Sequence, residues 1–285
     1  MIIGFLGKGG SGKTTLSTAM VSFLSSKQNT VLAIDADHNM DLTYNLGINH
    51  DIPYLGESVS YIKDILKIDG HYRDFFASND GRIPERFSIT RGSEDEFTKK
   101  FSVSIDEKTR IMSAGPHTEE VLHGNHCSHS LSTPLRMYLP LLALQENEFA
   151  VVDEKAGRDG VGTGTPTGFD IAYIVAEPTP HGLKAASQIA EILDFFETPY
   201  EFILNKTEQG YQLDEKDIWS NFLDKKPVLT IPRLHPHSEK LTEYYPYMEA
   251  ALEIAKNIFK DTQHDNRYHR SVRKFKKQKD FLNKE

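Results

Sequence analysis

The sequence predicts an α/β fold, with a mostly parallel central sheet and helices on both faces. Three observations carry this expectation. Short apolar runs at 2–6, 30–34 and 149–152 lack the polar alternation of a half-exposed strand, so both of their faces must be covered. Between such runs lie stretches with apolar residues at three- and four-residue spacing, the mark of amphipathic helices. The first run, a loop, a helix and the second run follow one another within residues 2–34, which makes a βαβ unit with a right-handed crossover.

Taken in order, residues 2–6 form the first strand. Gly7, Lys8, Gly9, Gly10, Ser11, Gly12, Lys13, Thr14 and Thr15 follow directly and spell G-x-x-x-x-G-K-T, a phosphate-binding loop in its strand–loop–helix setting. The glycines let backbone N–H groups turn around phosphate oxygens, Lys13 supplies charge for the β- and γ-phosphates, and Thr14 offers a hydroxyl to Mg²⁺. The fold is therefore expected to be that of a P-loop nucleoside triphosphatase. Leu16, Ala19, Met20, Phe23 and Leu24 make 14–26 a helix.

The strand at 30–34 delivers Asp35 and Asp37. Further strands fit at 110–114, 148–152, 171–176, 200–204 and 228–231, with helical patterns at 131–145, 181–196, 212–223 and 239–259. Residues 48–107 are polar and Gly-rich in places and read as an irregular excursion with a short helix at 58–66. Residues 1–260 are thus expected to form one ATPase domain. Residues 261–285 read as a basic extension, frayed or helical, outside the core.

Composition narrows the class. With 285 residues, 38% of them hydrophobic, the chain can bury one large core. No run approaches the roughly 20 apolar residues that span a bilayer, and no basic segment precedes an apolar one at the N-terminus, so a soluble, cytoplasmic protein is expected. A single cysteine, Cys127, excludes an intramolecular disulfide framework. The net charge of −8 divides into +6 on 266–285 and −14 elsewhere. An acidic body argues against broad nucleic-acid binding, while the tail could touch a membrane surface weakly.

The apolar run 149–152 places Asp153 at its C-terminal end, where parallel sheets bind ligands, and makes it a candidate Mg²⁺ carboxylate. The glycines at 157, 160, 162 and 164 suit a loop that changes shape with the γ-phosphate.

The second lysine, Lys8, makes the loop resemble that of the deviant phosphate-loop ATPases. This family holds the septum-site and plasmid-partition ATPases, the nitrogenase iron protein and the nickel-insertion ATPase of carbon monoxide dehydrogenase. The resemblance implies that Lys8 reaches across a homodimer interface to the partner's nucleotide in the ATP state, so Lys8, Lys13 and Asp37 are the candidate catalytic residues. Asp37 matches the family's water-positioning acid, and Asp35 would support it close to the metal. Asn205, with Lys206 beside it, resembles the asparagine that meets adenine, and Pro232 and Arg233 lie in a segment like the family's base loop. ATP is therefore the expected nucleotide, the more so because Glu208 stands where a guanine-reading Asp would be.

The stretch from Ala114 to His129 holds His117, His123, His126, Cys127 and His129. The nickel-insertion ATPase has a Cys-x-Cys pair at the matching place, where two subunits share one metal. Cys127-x-His129 offers a thiolate and an imidazole, both suited to Zn²⁺ or Ni²⁺. The absence of a second cysteine in 153–170 disfavours the iron–sulfur arrangement of the iron protein. The expected function is a dimeric, Mg-ATP-dependent maturation or metal-delivery factor with a client metalloenzyme. The alternative is a positioning ATPase of the partition or septum type, bound to DNA or a membrane surface.

Overall fold

The computed structural model describes residues 1–78, 86–116, 131–214, 216–234, 240–260 and 266–282. The strands are β1 (Ile2–Gly7), β2 (Thr30–Asp35), β3 (Phe87–Ser88), β4 (Val103–Ser104), β5 (Thr109–Ser113), β6 (Leu142–Ala143), β7 (Glu148–Asp153), β8 (Ile171–Ala176), β9 (Tyr200–Thr207) and β10 (Leu229–Pro232). The main sheet runs β10-β9-β8-β1-β7-β2-β5-β4, parallel throughout except where the edge strand β4 pairs antiparallel with β5. β3 and β6 form a small separate parallel pair.

The helices are α1 (Lys13–Ser26), α2 (Asp41–Asn45), α3 (Val59–Ile65), α4 (Tyr72–Ala77), α5 (Glu96–Phe101), α6 (Thr133–Leu141), α7 (Gly157–Gly162), α8 (Pro180–Phe196), α9 (Tyr245–Lys260) and α10 (Asn266–Leu282). α8 shows how local sequence sets an element's ends. Thr179 caps it through the Gly182 N–H, Pro180 opens it, and Glu197 leaves it in the left-handed conformation.

The apolar strands are buried on both faces, as their continuous pattern requires. Ile3, Phe5, Val151 and Tyr173 pack with Leu16, Met20 and Met248 of α1 and α9. Their strand neighbours Ile2, Leu6, Val152 and Ile174 pack on the other face with Leu135, Leu183 and Phe275. Because the long strands are parallel, Gly7, Asp35, Asp153 and Thr207 all end at one edge of the sheet.

Four expectations need correction. Among the described residues, the segment 212–223 is not a helix and holds a single tight turn, Ile218–Asn221. The Asp217 carboxylate accepts from the Asp214 N–H and the Tyr211 hydroxyl, a local side-chain turn ahead of Ile218. The helix expected at 131–145 ends at Leu141, because Leu142 turns extended to pair with Phe87. The excursion at 48–107 is more ordered than its polarity suggested. α3, α4 and α5 bring Ile62, Tyr72, Phe76, Phe97 and Phe101 into the same core as the sheet.

The largest correction concerns the tail. Residues 266–282 form α10, whose Tyr268, Val272 and Phe275 are buried in the body of the protein. Its cations find acceptors there. Arg267 pairs with Asp170 at 2.9 Å, and Lys274 donates to the Thr163 carbonyl at 2.8 Å. The charge run that read as a solvated extension is therefore half interior. Among the described residues, no helix is long and apolar enough to cross a membrane.

Candidate functional site

β1 ends at Gly7 and α1 begins at Lys13, so the phosphate loop spans the gap between the sheet edge and a helix N-terminus. Gly12 caps α1 at φ 95°, and a Cβ there would lie 2.3 Å from Asn205 Nδ2. The loop closes on itself through Ser11 N–H, which donates to the Lys8 carbonyl. Lys8 and Gly9 are exposed at its mouth, whereas the Ser11 hydroxyl is buried and has no hydrogen-bond partner. Thr15, next on α1, is half-buried. A left-handed glycine cradle around an orphaned hydroxyl suits an anion with several oxygens.

Lys13 is buried between two carboxylates. Its Nζ lies 3.3 Å from Asp37 Oδ2 and 3.6 Å from Asp153 Oδ1. Burial pulls its pKa down, but Asp153 and Asp37 outweigh that and hold it above the ordinary lysine value. Thr14 Oγ1 donates to Asp153 Oδ2 at 2.6 Å, and Ser17 Oγ donates to Asp153 Oδ1 at 3.2 Å. Burial pushes the Asp153 carboxyl up, against Lys13 and these two hydroxyls. A hydroxyl and a carboxylate this close form an oxygen-only donor pair of the kind Mg²⁺ takes when phosphates and water complete its shell.

Asp35 sits behind this pair and is fully buried. Its Oδ2 accepts from both the N–H and the hydroxyl of Thr43 at 2.8 Å, and its Oδ1 accepts from the Asp37 N–H at 3.2 Å. Burial pushes it up to about 7, against the Thr43 bonds and helped by Asp153. Both its oxygens are thus engaged in fixing the turn that presents Asp37.

Two residues here escaped the sequence reading. His38 is buried, with Nδ1 3.0 Å from the Gly115 carbonyl, so the Asp37 turn touches the segment leaving β5. Glu154, next to Asp153, is buried with its Oε2 unpartnered, and burial pushes it up to about 8. An acidic residue directly after a buried strand was the one available signal for Glu154. None existed for His38, whose contact depends on β2 and β5 being neighbours.

On the other side, Asn205 Nδ2 donates to the Ser11 carbonyl at 2.8 Å, so its amide N–H is turned to the phosphate loop. Lys206 Nζ donates to the Gly10 carbonyl and pairs with Glu177 at 2.6 Å. Beyond Lys206, a cavity of about 700 Å³ is lined by Pro178, Glu208, Tyr211 and Arg233 among others. Arg233 N–H donates to the Thr207 carbonyl, just past Pro232 at the end of β10. The cavity lies beside the phosphate loop and is large enough to admit a nucleobase.

Cys127 and His129 lie outside the described residues, as do His117, His123 and His126. Among the described residues, no group of three or more His, Cys, Asp or Glu side chains is arranged to hold a metal ion.

Residues 2–246 match the model of the CobQ/CobB/MinD/ParA nucleotide binding domain. The chain is 28% identical over 238 residues to an uncharacterized ATP-binding protein of Methanocaldococcus jannaschii, covering 81% of this chain and 87% of that protein. It is 27% identical over 190 residues to the carbon monoxide dehydrogenase accessory protein CooC of Rhodospirillum rubrum, covering 66% of this chain and 67% of that protein. In fold it resembles the cell division ATPase MinD of Pyrococcus furiosus, with a TM-score of 0.54 at 17% identity over 89% of this chain and 98% of that one. A phosphate loop, two acidic strand ends and an open cavity on one sheet edge thus agree with the domain match: the chain belongs to the CobQ/CobB/MinD/ParA nucleotide-binding family and is an ATP hydrolase.

Proposed function

We propose that this ATPase acts as a homodimer in its ATP-bound state and serves as a maturation or metal-delivery factor for a client metalloenzyme. The observation that carries the reading is the contact between His38 and the Gly115 carbonyl. It ties the Asp37 turn to Gly115, which precedes Cys127 and His129 in the chain, so the residue expected to sense the γ-phosphate is coupled to the end of β5 from which that stretch departs. The likeness to the carbon monoxide dehydrogenase accessory protein supports the same assignment.

In this reading Lys13 neutralises phosphate charge and Asp37 orients the attacking water. Thr14 and Asp153 would hold Mg²⁺, which when bound offsets the charge of the phosphate oxygens. Asp35 keeps the Asp37 turn in place from behind. Pro232 and Arg233 border the base, and the exposed Lys8 serves the partner's nucleotide. Such a division of labour suits phosphoryl transfer, where orientation and charge neutralisation do most of the work.

Cys127 and His129 from two chains would give two thiolates and two imidazoles around one Zn²⁺ or Ni²⁺, carried as cargo. Equilibrium dialysis against each ion, with and without a non-hydrolysable ATP analogue, tests this. The expected result is one ion per dimer, dependent on nucleotide and lost in Cys127→Ser/His129→Ala. No saturable site in any nucleotide state would overturn the delivery role. The other reading, a positioning ATPase on DNA or a membrane surface, would have to use the outer face of α10, where Lys276, Lys279 and Phe281 are exposed, because Phe275 is only 1% exposed.

A further inference from the structure

Lys206 occupies an unusual place in β9. The register of β9 with β10 runs Ile203 to Leu229, Leu204 to Thr230 and Asn205 to Ile231, then skips to Thr207 opposite Pro232. Lys206 is the extra residue of a β-bulge, and its backbone is left-handed at φ 59°. Bulges next to functional sites re-aim a side chain. A residue with a Cβ is disfavoured at positive φ, whereas glycine would sit there freely. The side chain must therefore supply what the backbone conformation costs.

What it does is visible in its contacts. Nζ donates to the Gly10 carbonyl and is held from the far side by Glu177 Oε1 at 2.6 Å. The neighbouring Asn205 Nδ2 holds the Ser11 carbonyl at 2.8 Å. Gly10 and Gly12 are the left-handed residues of the loop, at φ 82° and 95°. In a trans peptide the C=O and the following N–H point in opposite directions. Holding the carbonyls of Gly10 and Ser11 outward therefore turns the N–H groups of Ser11 and Gly12 the other way. Ser11 N–H closes the loop on the Lys8 carbonyl, and the bond from Asn205 to the Ser11 carbonyl turns Gly12 N–H away from Asn205.

We propose that Lys206 is a positioning residue that sets the shape of the phosphate loop through the Gly10 carbonyl, with Glu177 as the holder of its ammonium group. It acts on ATP and ADP through the loop rather than by touching the nucleotide. Glu177 lies just after β8, so the brace joins the ends of β8 and β9 to the loop that follows β1.

Two variants test this, by isothermal titration with ADP and with a non-hydrolysable ATP analogue and by thermal unfolding without nucleotide. Lys206→Gly removes the donor and relieves the left-handed backbone. Affinity should fall roughly tenfold for both nucleotides, the scale of one charge-assisted hydrogen bond. The unfolding midpoint should stay level or rise. A parallel drop in midpoint and affinity would make Lys206 merely structural and overturn the proposal, as would unchanged affinity. Glu177→Gln leaves Lys206 charged and free to move. A direct contact between Lys206 and the nucleotide would then keep or tighten binding, which refutes positioning. A several-fold weakening, equal for the two nucleotides, is the expected result.

Discussion

Lys13 Nζ lies 3.3 Å from Asp37 Oδ2, so the lysine of the phosphate loop and the acid of the second strand end share one ion pair. Phosphate oxygens compete with Asp37 for this cation. Asp37→Ala should therefore bind ATP at least as well as the unaltered protein, while hydrolysis falls by about 10² or more through loss of water orientation. Lys13→Ala should abolish binding instead, because Asp37 and Asp153 would then face the phosphates with no intervening cation. Nucleotide affinity and single-turnover hydrolysis, measured on both variants, separate the two roles. Hydrolysis by Asp37→Ala at the unaltered rate would remove Asp37 from the mechanism.

Lys8 gives a cleaner test of assembly. Its carbonyl closes the loop on Ser11 N–H, while its side chain is exposed at the mouth. Lys8→Ala thus leaves the loop's own hydrogen bond intact. It should stay folded and bind nucleotide, yet sediment as a monomer with a non-hydrolysable ATP analogue where the unaltered chain sediments as a dimer. An unaffected dimer in the variant would deny Lys8 its role across the interface.

The buried lysine of α10 makes a pH prediction. Lys274 is 4% exposed, with its Nζ on the Thr163 carbonyl and the rings of Phe196 and Phe275 beside it. Burial, with Arg136 of α6 and Arg73 of α4 adding repulsion, lowers its pKa to about 7. The unfolded chain then binds more protons than the folded one between about pH 7 and 10. Stability must rise with pH in that window and be lost as pH falls through it. The gain between pH 7 and 9 should be on the order of 1–2 kcal/mol. Urea unfolding at pH 7, 8 and 9 should show stability rising more steeply with pH in the unaltered protein than in Lys274→Met, where Glu154 and Asp35 still titrate with the opposite sign. The same pH response in both would mean that Lys274 is not buried in solution.

What could be read from sequence divides along a physical line. The phosphate loop, Asp37 and Asp153 were legible because each depends on residues adjacent in the chain: a glycine-rich turn or the end of an apolar strand. The Lys206–Glu177 pair and the contact of His38 with Gly115 were not. They arise because β9 lies beside β8, and β5 beside β2, and lateral strand order leaves no local trace in the sequence. The tail misled for a different reason. Charge patterning marks a solvated face only when no acceptors wait inside, and here the Thr163 carbonyl and the Asp170 carboxylate receive Lys274 and Arg267. At 212–223 the helical spacing was real, but among the described residues it yields only the turn Ile218–Asn221, with Asp217 accepting from the Asp214 N–H ahead of it.

Gly12 offers the sharpest test of the loop's geometry. It combines a left-handed backbone with a neighbour that leaves no space, since a Cβ would lie 2.3 Å from Asn205 Nδ2. Gly12→Ala should therefore lose stability twice: about 1–2 kcal/mol from the backbone conformation, and more from pushing Asn205 off the Ser11 carbonyl. Gly47→Ala is the matched control. Its φ is 84°, but nothing lies within 4 Å of the added Cβ, so it carries the conformational cost alone. Both variants should unfold at lower urea concentration, and only Gly12→Ala should also lose ATP affinity, by more than the roughly tenfold of a single charge-assisted bond. Equal affinity in the two variants would mean that the Asn205 brace does not shape the site.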